Sequence, residues 1–334
     1  MAVTQLEKRI DLFTTAEALP KEQKQWLVIL RRFARHRLAV ISSFLILFVM
    51  IVCLFARSIA PFTAVELELG NTFATPFTLS ESGRMHWLGT DHLGRDYFSR
   101  IIFAGRITLT VALTSVLGSS LVGVFFGAIS GFFKGRVDDA LMRIVEFLLT
   151  IPTLPILLIL SSILIQSPEL IPVPAFVLNG LASLLYIQTR EAQQVVMVII
   201  VLMSFGWLTT ARLMRGMVLS LREQEFTDAA RALGASNLRI IVRHMIPNAM
   251  APIIVDASLA LAGFVILEAA LSFLGFGIQD PTPTWGNMLA FTQSYMFQTP
   301  WLPLIPGLPI FFCALMFNFV GDGLRDALDP RLKR

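Results

Sequence analysis

Long apolar runs alternate along this chain with short polar, arginine-bearing ones. Six runs, 38–56, 107–133, 144–165, 192–211, 249–274 and 302–320, are each long enough to cross a bilayer, which takes about 20 apolar residues as a helix. None shows the period-two alternation of a membrane β-barrel strand, so all six are read as helices. A seventh run, 170–187, is short and holds Pro172, Pro174 and Asn179. A crossing there would put the arginines of 212–243 on the opposite side from the N-terminus. The stretch 166–190 is therefore expected to be an outer loop with an interfacial or re-entrant helix.

Composition agrees. The chain is 55% hydrophobic and 15% charged, with a mean hydropathy of +0.71, well beyond soluble proteins of this length. Lys and Arg number 8 in 1–37, 3 in 134–143, 6 in 212–243 and 4 in 325–334, against 5 in the opposite loops. Positive charge favours the cytoplasmic side, which puts both termini inside. The long loop 57–105 carries four arginines, balanced by Glu66, Glu68, Glu81, Asp91 and Asp96. The net charge of +4 follows this topology, and the arginines do not interleave with aromatics as a nucleic-acid patch would. The first span begins too late for an ordinary cleaved signal and reads as a retained anchor. Residues 21–37 have the pattern of an amphipathic surface helix. Cys53 and Cys313, in separate spans, read as packing residues rather than a disulfide or metal pair.

The polar insert between the fourth and fifth runs is the most specific feature. It reads as two short helices. Thr227 is a candidate N-cap, and Asp228 places negative charge at the positive end of the first helix. Ala229, Ala230 and Leu233 form a small apolar stripe. Gly234 falls where a left-handed residue ends a helix. Ser236 can cap a second helix running to Pro247. A small helix of this kind, outside the membrane, suits docking in another protein's groove.

Asp228-Ala229-Ala230, Gly234 and Ile246-Pro247 fall at the offsets of the Glu-Ala-Ala…Gly…Ile-x-Leu-Pro pattern. The insert resembles the EAA loop of ABC-importer permeases. Three positions depart: Asp228 for Glu, His244 for Ile and Ile246 for Leu. The His-x-Ile-Pro-Asn form looks like the peptide-importer branch. Three more stretches resemble that branch: His86 to Arg100, Glu268 to Gly277 with Pro281 to Leu289, and Gly321 to Arg331. In the first, a metal site of His86, Asp91, His92 and Asp96 is the weaker reading. Pairing of Asp91 and Asp96 with Arg95 and Arg100, or anchoring of the loop to the bundle, is the stronger.

Features inside the runs are less specific. Gly123, Gly127 and Gly131 lie on one helix face and allow close helix approach, either as an interface that slides or as ordinary packing. Pro152 and Pro155 predict a kink in the third span. Arg143 and Glu146 read as an ion pair. Asp256 and Glu268 are costly charges in the fifth span. They either line a translocation path or bond to a neighbouring helix.

There is no phosphate-cradling Gly-x-x-x-x-Gly-Lys-Ser/Thr, no Gly-x-Ser-x-Gly and no His-Glu-x-x-His, so neither ATP binding nor hydrolase chemistry is expected in this chain. The resemblance implies an all-α membrane protein with the six-helix type I ABC-importer permease fold, multi-pass in the inner, cytoplasmic membrane. It implies segments at 1–37, 38–56, 57–105, 106–322 and 323–334, with a coupling loop at 212–247. It further implies a second homologous permease, two cytoplasmic ATPase subunits that bind ATP and Mg, and an extracytoplasmic solute-binding protein. Peptides or similar small solutes would be the cargo. Coupling would fall to Asp228, Ala229, Ala230, Gly234, Ile246 and Pro247. The competing classes are an ATP-independent channel or secondary transporter, and a membrane sensor. No internal repeat of the kind common in carriers is visible.

Overall fold

The computed structural model describes residues 25–329. Residues 21–24 of the expected surface helix, and the chain end beyond 329, lie outside that range. Helix α1 is Gln25–Arg35. It breaks at His36, whose Nδ1 accepts the Ala39 N–H at 3.1 Å and caps α2, Arg37–Leu54. A short α3, Ala56–Ile59, follows. The next 37 residues are irregular except for a 3-10 turn, Leu69–Asn71, and a hairpin of β1, Thr78–Leu79, and β2, Met85–His86, paired antiparallel.

Helix α4 is Tyr97–Phe133, 37 residues, or about 55 Å. It starts well before the expected 107. Asp96 caps it by accepting the Ser99 N–H at 2.7 Å, and Arg100 and Arg106 lie inside it. A window that counts apolar residues stops at those arginines, although the helix does not.

The expected third span is a bent pair, α5, Gly135–Thr150, and α6, Thr153–Gln166, which meet at 93°. Ile151 is extended, ψ 130°, as steric conflict with a following proline requires. Pro155 sits in the first turn of α6, where its missing N–H would have had no partner anyway. Pro152 and its predecessor therefore make the bend, and Pro155 does not. Arg143 and Glu146 are both exposed and form no ion pair, contrary to expectation. Asp138 of α5 is the paired acid instead (below).

Helix α7, Ala175–Leu185, is the short apolar helix expected in the outer loop; at 11 residues it spans only about 16 Å. Then come α8, Thr189–Arg222; α9, Glu225–Ala232; α10, Asn237–Ile240; a π-turn, Ile241–Met245; α11, Ile246–Phe273; α12, Trp285–Gln293; and α13, Leu304–Leu328. Five helices are long and apolar enough to cross a membrane, six with the bent pair as one span. Arg32 of α1 donates to the Asp329 carbonyl at 3.0 Å, which brings the first and last described helices together.

The centre is α4 against α8. A Cβ on Gly123 would lie 2.6 Å from Thr210 Cβ and 2.8 Å from the Trp207 carbonyl. One on Gly131 would lie 2.8 Å from the Arg215 carbonyl, and one on Gly127 would strike the Ala211 carbonyl. The three glycines thus seat one backbone directly on the other. Helix α12 closes on α11 in the same way, with Gly286 against Ala269. Cys53 and Cys313 are free, buried, and line one apolar cavity between α2, α4 and α13.

The segment 60–96 is fastened to the bundle by charge. Arg95 Nε donates to Asp91 at 2.6 Å and its Nη1 donates to Asp280 at 2.8 Å. Arg100 Nη2 reaches Asp280 at 3.1 Å. His86 is held between Asp96, 2.9 Å, and Glu68, 3.1 Å. The expected pairing of Asp91 with the arginines is present, but Asp96 bonds His86 and the Ser99 N–H instead of an arginine. The second anchor of the arginines, Asp280 in the turn after α11, has no signal in the sequence.

Candidate coupling site

The polar insert is organised around α9. Glu225 is its first residue and Gln224 its cap, so Thr227 is not the N-cap expected. Thr227 lies inside the helix, fully buried, and its Oγ1 donates to the Leu221 carbonyl at 3.0 Å. That carbonyl, at the end of α8, also accepts the Gln224 N–H at 3.2 Å, so the Thr227 bond ties α9 to the end of α8. Helix α8 itself runs on through Arg222, absorbing the first third of the insert.

The far end of α9 closes as a Schellman motif. The Gly234 N–H donates to Arg231 at 2.9 Å and the Ala235 N–H to Ala230 at 3.0 Å, with Gly234 at φ +79°. This is the left-handed stop expected of Gly234. A Cβ there would meet nothing within 4 Å, so only backbone conformation selects glycine.

The expected apolar stripe is split. Ala230 turns inward, onto Met214, Val218, Ile240 and Met245. Ala229 faces out, with Phe226 39% and Leu233 88% exposed. At positions i, i+3 and i+7 these three share one helix face. Leu238 extends the exposed surface, at 71%. Asp228 is also exposed, with Arg231 3.4 Å away, a pair that contributes little at a solvated surface.

Ser236 caps α10 by accepting the Arg239 N–H at 3.4 Å. The second helix does not end at Pro247. It passes through the π-turn and continues as α11, unbroken from Asn237 to Phe273. A proline removes one helix bond and crowds the carbonyl four residues back. Here the wider π-turn, with the Ile246 N–H on the Ile241 carbonyl, accommodates it. Asn248 Nδ2 donates to the His244 carbonyl at 2.7 Å. Ile246 and Pro247 are thus the first residues of a span rather than the end of a loop helix.

Neighbouring helices hold the insert by bonds that the sequence did not reveal. Arg215 of α8 grips Asp138 of α5 through two bonds of 2.6 Å, and Ser130 of α4 donates to the same carboxylate. Arg222 donates to the Phe132 carbonyl at 2.6 Å. Lys134 and Glu223 pair at 2.6 Å. Two acids, Asp138 and Glu223, in an arginine-rich neighbourhood were the available signal, but not their pairing.

The two acids of α11 differ. Asp256 is half-buried and accepts from Thr210 Oγ1 of α8 at 2.6 Å. Glu268 is fully buried and accepts from Ser272 Oγ at 2.8 Å. Thr108 and Thr284 lie beside it, and α12 covers it. In this conformation Glu268 faces protein.

Residues 123–334 match the family of binding-protein-dependent transport system inner membrane components. The chain belongs to that family. Residues 24–76 match a second family, the N-terminal TM domain of oligopeptide transport permease C. Among curated relatives, the dipeptide transport system permease protein of Alkalihalophilus pseudofirmus is 35% identical over 92% of this chain and 90% of its own. The glutathione transport system permease protein of Pectobacterium atrosepticum is 34% identical over 92% of both chains. A methionine ABC transporter solved in inward-facing conformations aligns with TM-score 0.46 and 15% identity, over 69% of this chain and 96% of that one. This membrane protein is therefore the permease component of an ABC transport system, and the ATPase is a separate subunit. Family membership gives no support to an ATP-independent channel or carrier.

Proposed function

We propose that this chain forms half of the translocation path of an importer for peptides or similar small solutes, and that α9 couples it to the ATPase. The named cargoes of its relatives, dipeptides and glutathione among them, support the solute class. A second, related permease completes the path. Two cytoplasmic ATPase subunits bind ATP and Mg, and an extracytoplasmic binding protein delivers solute. Both termini and the 212–247 segment are cytoplasmic; Ser167 and Thr284 are outside. Asp256, half-buried on α11, is the better candidate of the two acids for contact with the path. Glu268 reaches it only if α12 moves.

One observation carries the coupling role. Helix α9 is closed at its C-terminal end by Gly234 and pinned to α8 by Thr227, yet it leaves Phe226, Ala229 and Leu233 exposed in an otherwise polar segment. An exposed apolar cluster of this kind marks a contact with another protein. Leu233→Asp tests it, because that side chain stabilises nothing within its own chain. The variant should insert and fold normally, but lose stimulation of ATP hydrolysis by substrate-loaded binding protein in the reconstituted complex. Undiminished stimulation would remove α9 from the coupling role.

A further inference from the structure

Arg106 is 7% exposed, and its Nε and Nη1 are buried with no acceptor. Among the described residues no carboxylate lies within 4.0 Å of it. Its only close partner is the Tyr186 ring, 4.2 Å from the guanidinium carbon. Every other buried arginine of this end is engaged: Arg95 and Arg100 share Asp91 and Asp280. Glu191, an acid lining the cavity on the other side of Tyr186, has a carboxylate oxygen occupied by the Gln188 N–H at 3.1 Å.

An unpaired guanidinium at the edge of hydrocarbon is costly. Its planar fork of N–H donors fits the oxygens of a phosphate. Arg106 lies on the wall of an apolar groove of about 270 Å³, formed by Leu47 and Ile51 of α2, Leu109 and Leu113 of α4, and Leu184 of α7. Leu47, Ile51 and Leu184 are each about half exposed, at 54%, 46% and 48%, so the groove opens on the hydrocarbon-facing side. Arg106 precedes the apolar run that starts at 107, and so marks the headgroup level. Arg57 stands across Tyr186, 5.6 Å from its ring, and adds a second positive charge at that height.

We propose that this groove holds an anionic phospholipid of the leaflet next to the 60–96 segment, its phosphate on Arg106 and an acyl chain between α2, α4 and α7. Tyr186, in a left-handed conformation at the end of α7 (φ +58°), covers one face of the guanidinium; Nε and Nη1 are enclosed, which leaves Nη2 for the phosphate. The short outer helix thereby acquires a role: it forms the wall of a lipid site.

The test is lipid titration of the purified importer complex, followed by native mass spectrometry, with dioleoyl phosphatidylglycerol and dioleoyl phosphatidylcholine as probes. The wild type should favour phosphatidylglycerol by about fivefold, the scale of one basic residue at a membrane surface. Arg106→Gln should abolish that preference and Arg106→Lys should retain part of it. Leu113→Trp, which fills the groove and leaves the arginine, should weaken both lipids. An unchanged preference in Arg106→Gln overturns the proposal. So does separation of the second permease from that variant with lipid binding intact, which would assign the guanidinium to a carboxylate of the partner. If Arg106→Gln does not accumulate, undiminished lipid binding by Leu113→Trp overturns it alone.

Discussion

The two ends of this bundle use polar residues in opposite ways. At one end Asp91, Arg95 and Arg100 are drawn inside and are satisfied by one another and by Asp280 at the surface. At the other, α9 keeps its charges in solvent and exposes Phe226, Ala229 and Leu233. The first arrangement is complete within the chain, and the second is not. A buried charge cluster in a connecting segment therefore reports on how the chain holds itself together. Exposed apolar side chains in a charged segment report on what the chain meets. The resemblance of both stretches to one permease branch hides this difference, which only burial separates.

The sharpest way to break the comparison is Asp91→Ala. Asp91 is 4% exposed and accepts from the Arg95 guanidinium and from the N–H groups of Leu93 and Arg95. Removing it leaves buried arginine charge short of a partner, at a cost of about 3–5 kcal/mol. The expected result is a marked drop in the thermal midpoint of the complex, with substrate-stimulated ATP hydrolysis per folded complex retained. Gly234→Val should do the reverse. It must place a β-branched residue in a left-handed conformation, costing about 1–2 kcal/mol at one turn. Because no atom lies in the way, the strain reorients α9 rather than disturbing the core. Membrane insertion should be normal and stimulated ATP hydrolysis should fall.

The smallest effect is a pH dependence of the segment 60–96. The hydrogen bond from Arg84 holds the Glu66 carboxyl below its ordinary value of 4.5. A depressed carboxyl stabilises the fold above that value and loses the contribution as pH falls through the folded one. Both partners are about a third exposed, so the contribution is ~0–1 kcal/mol. Cleavage within 60–96 by an acid-active protease should rise as pH falls below 4.5. Arg84→Ala should show the higher susceptibility at every pH.

The hydrophobic pattern located the five long helices that can cross a membrane, and an apolar bent pair at the third position, because hydrocarbon imposes length and composition on them. It erred where other forces set the boundary. Tyr97 begins α4 because Asp96 caps it. Helix α8 reaches Arg222 because Arg215 is neutralised by Asp138, which is remote in sequence. Pro247 reads as a stop, yet the π-turn before it lets the helix continue. At the coupling site Gly234 was legible, since a left-handed cap has a local signature. Thr227 was not, because its choice between capping a helix and bonding the preceding carbonyl depends on where α8 ends. The inward turn of Ala230 depended on Met214 and Val218, which no local reading supplies. The clasp by Asp280 joins residues some 185 apart in sequence, beyond the reach of any motif.

Gly123, Gly127 and Gly131 impose one more constraint. With backbone against backbone, α4 and α8 cannot turn about their own axes without first moving apart. Any rearrangement that displaces one must carry the other, so the pair behaves as a single post. By contrast, α11 meets α8 near the coupling end through side chains such as Thr210 and Asp256, which can exchange partners. It continues without interruption from the turn below α9 to the buried Glu268. The post and this long rod divide the bundle into a part that stays whole and a part free to pivot.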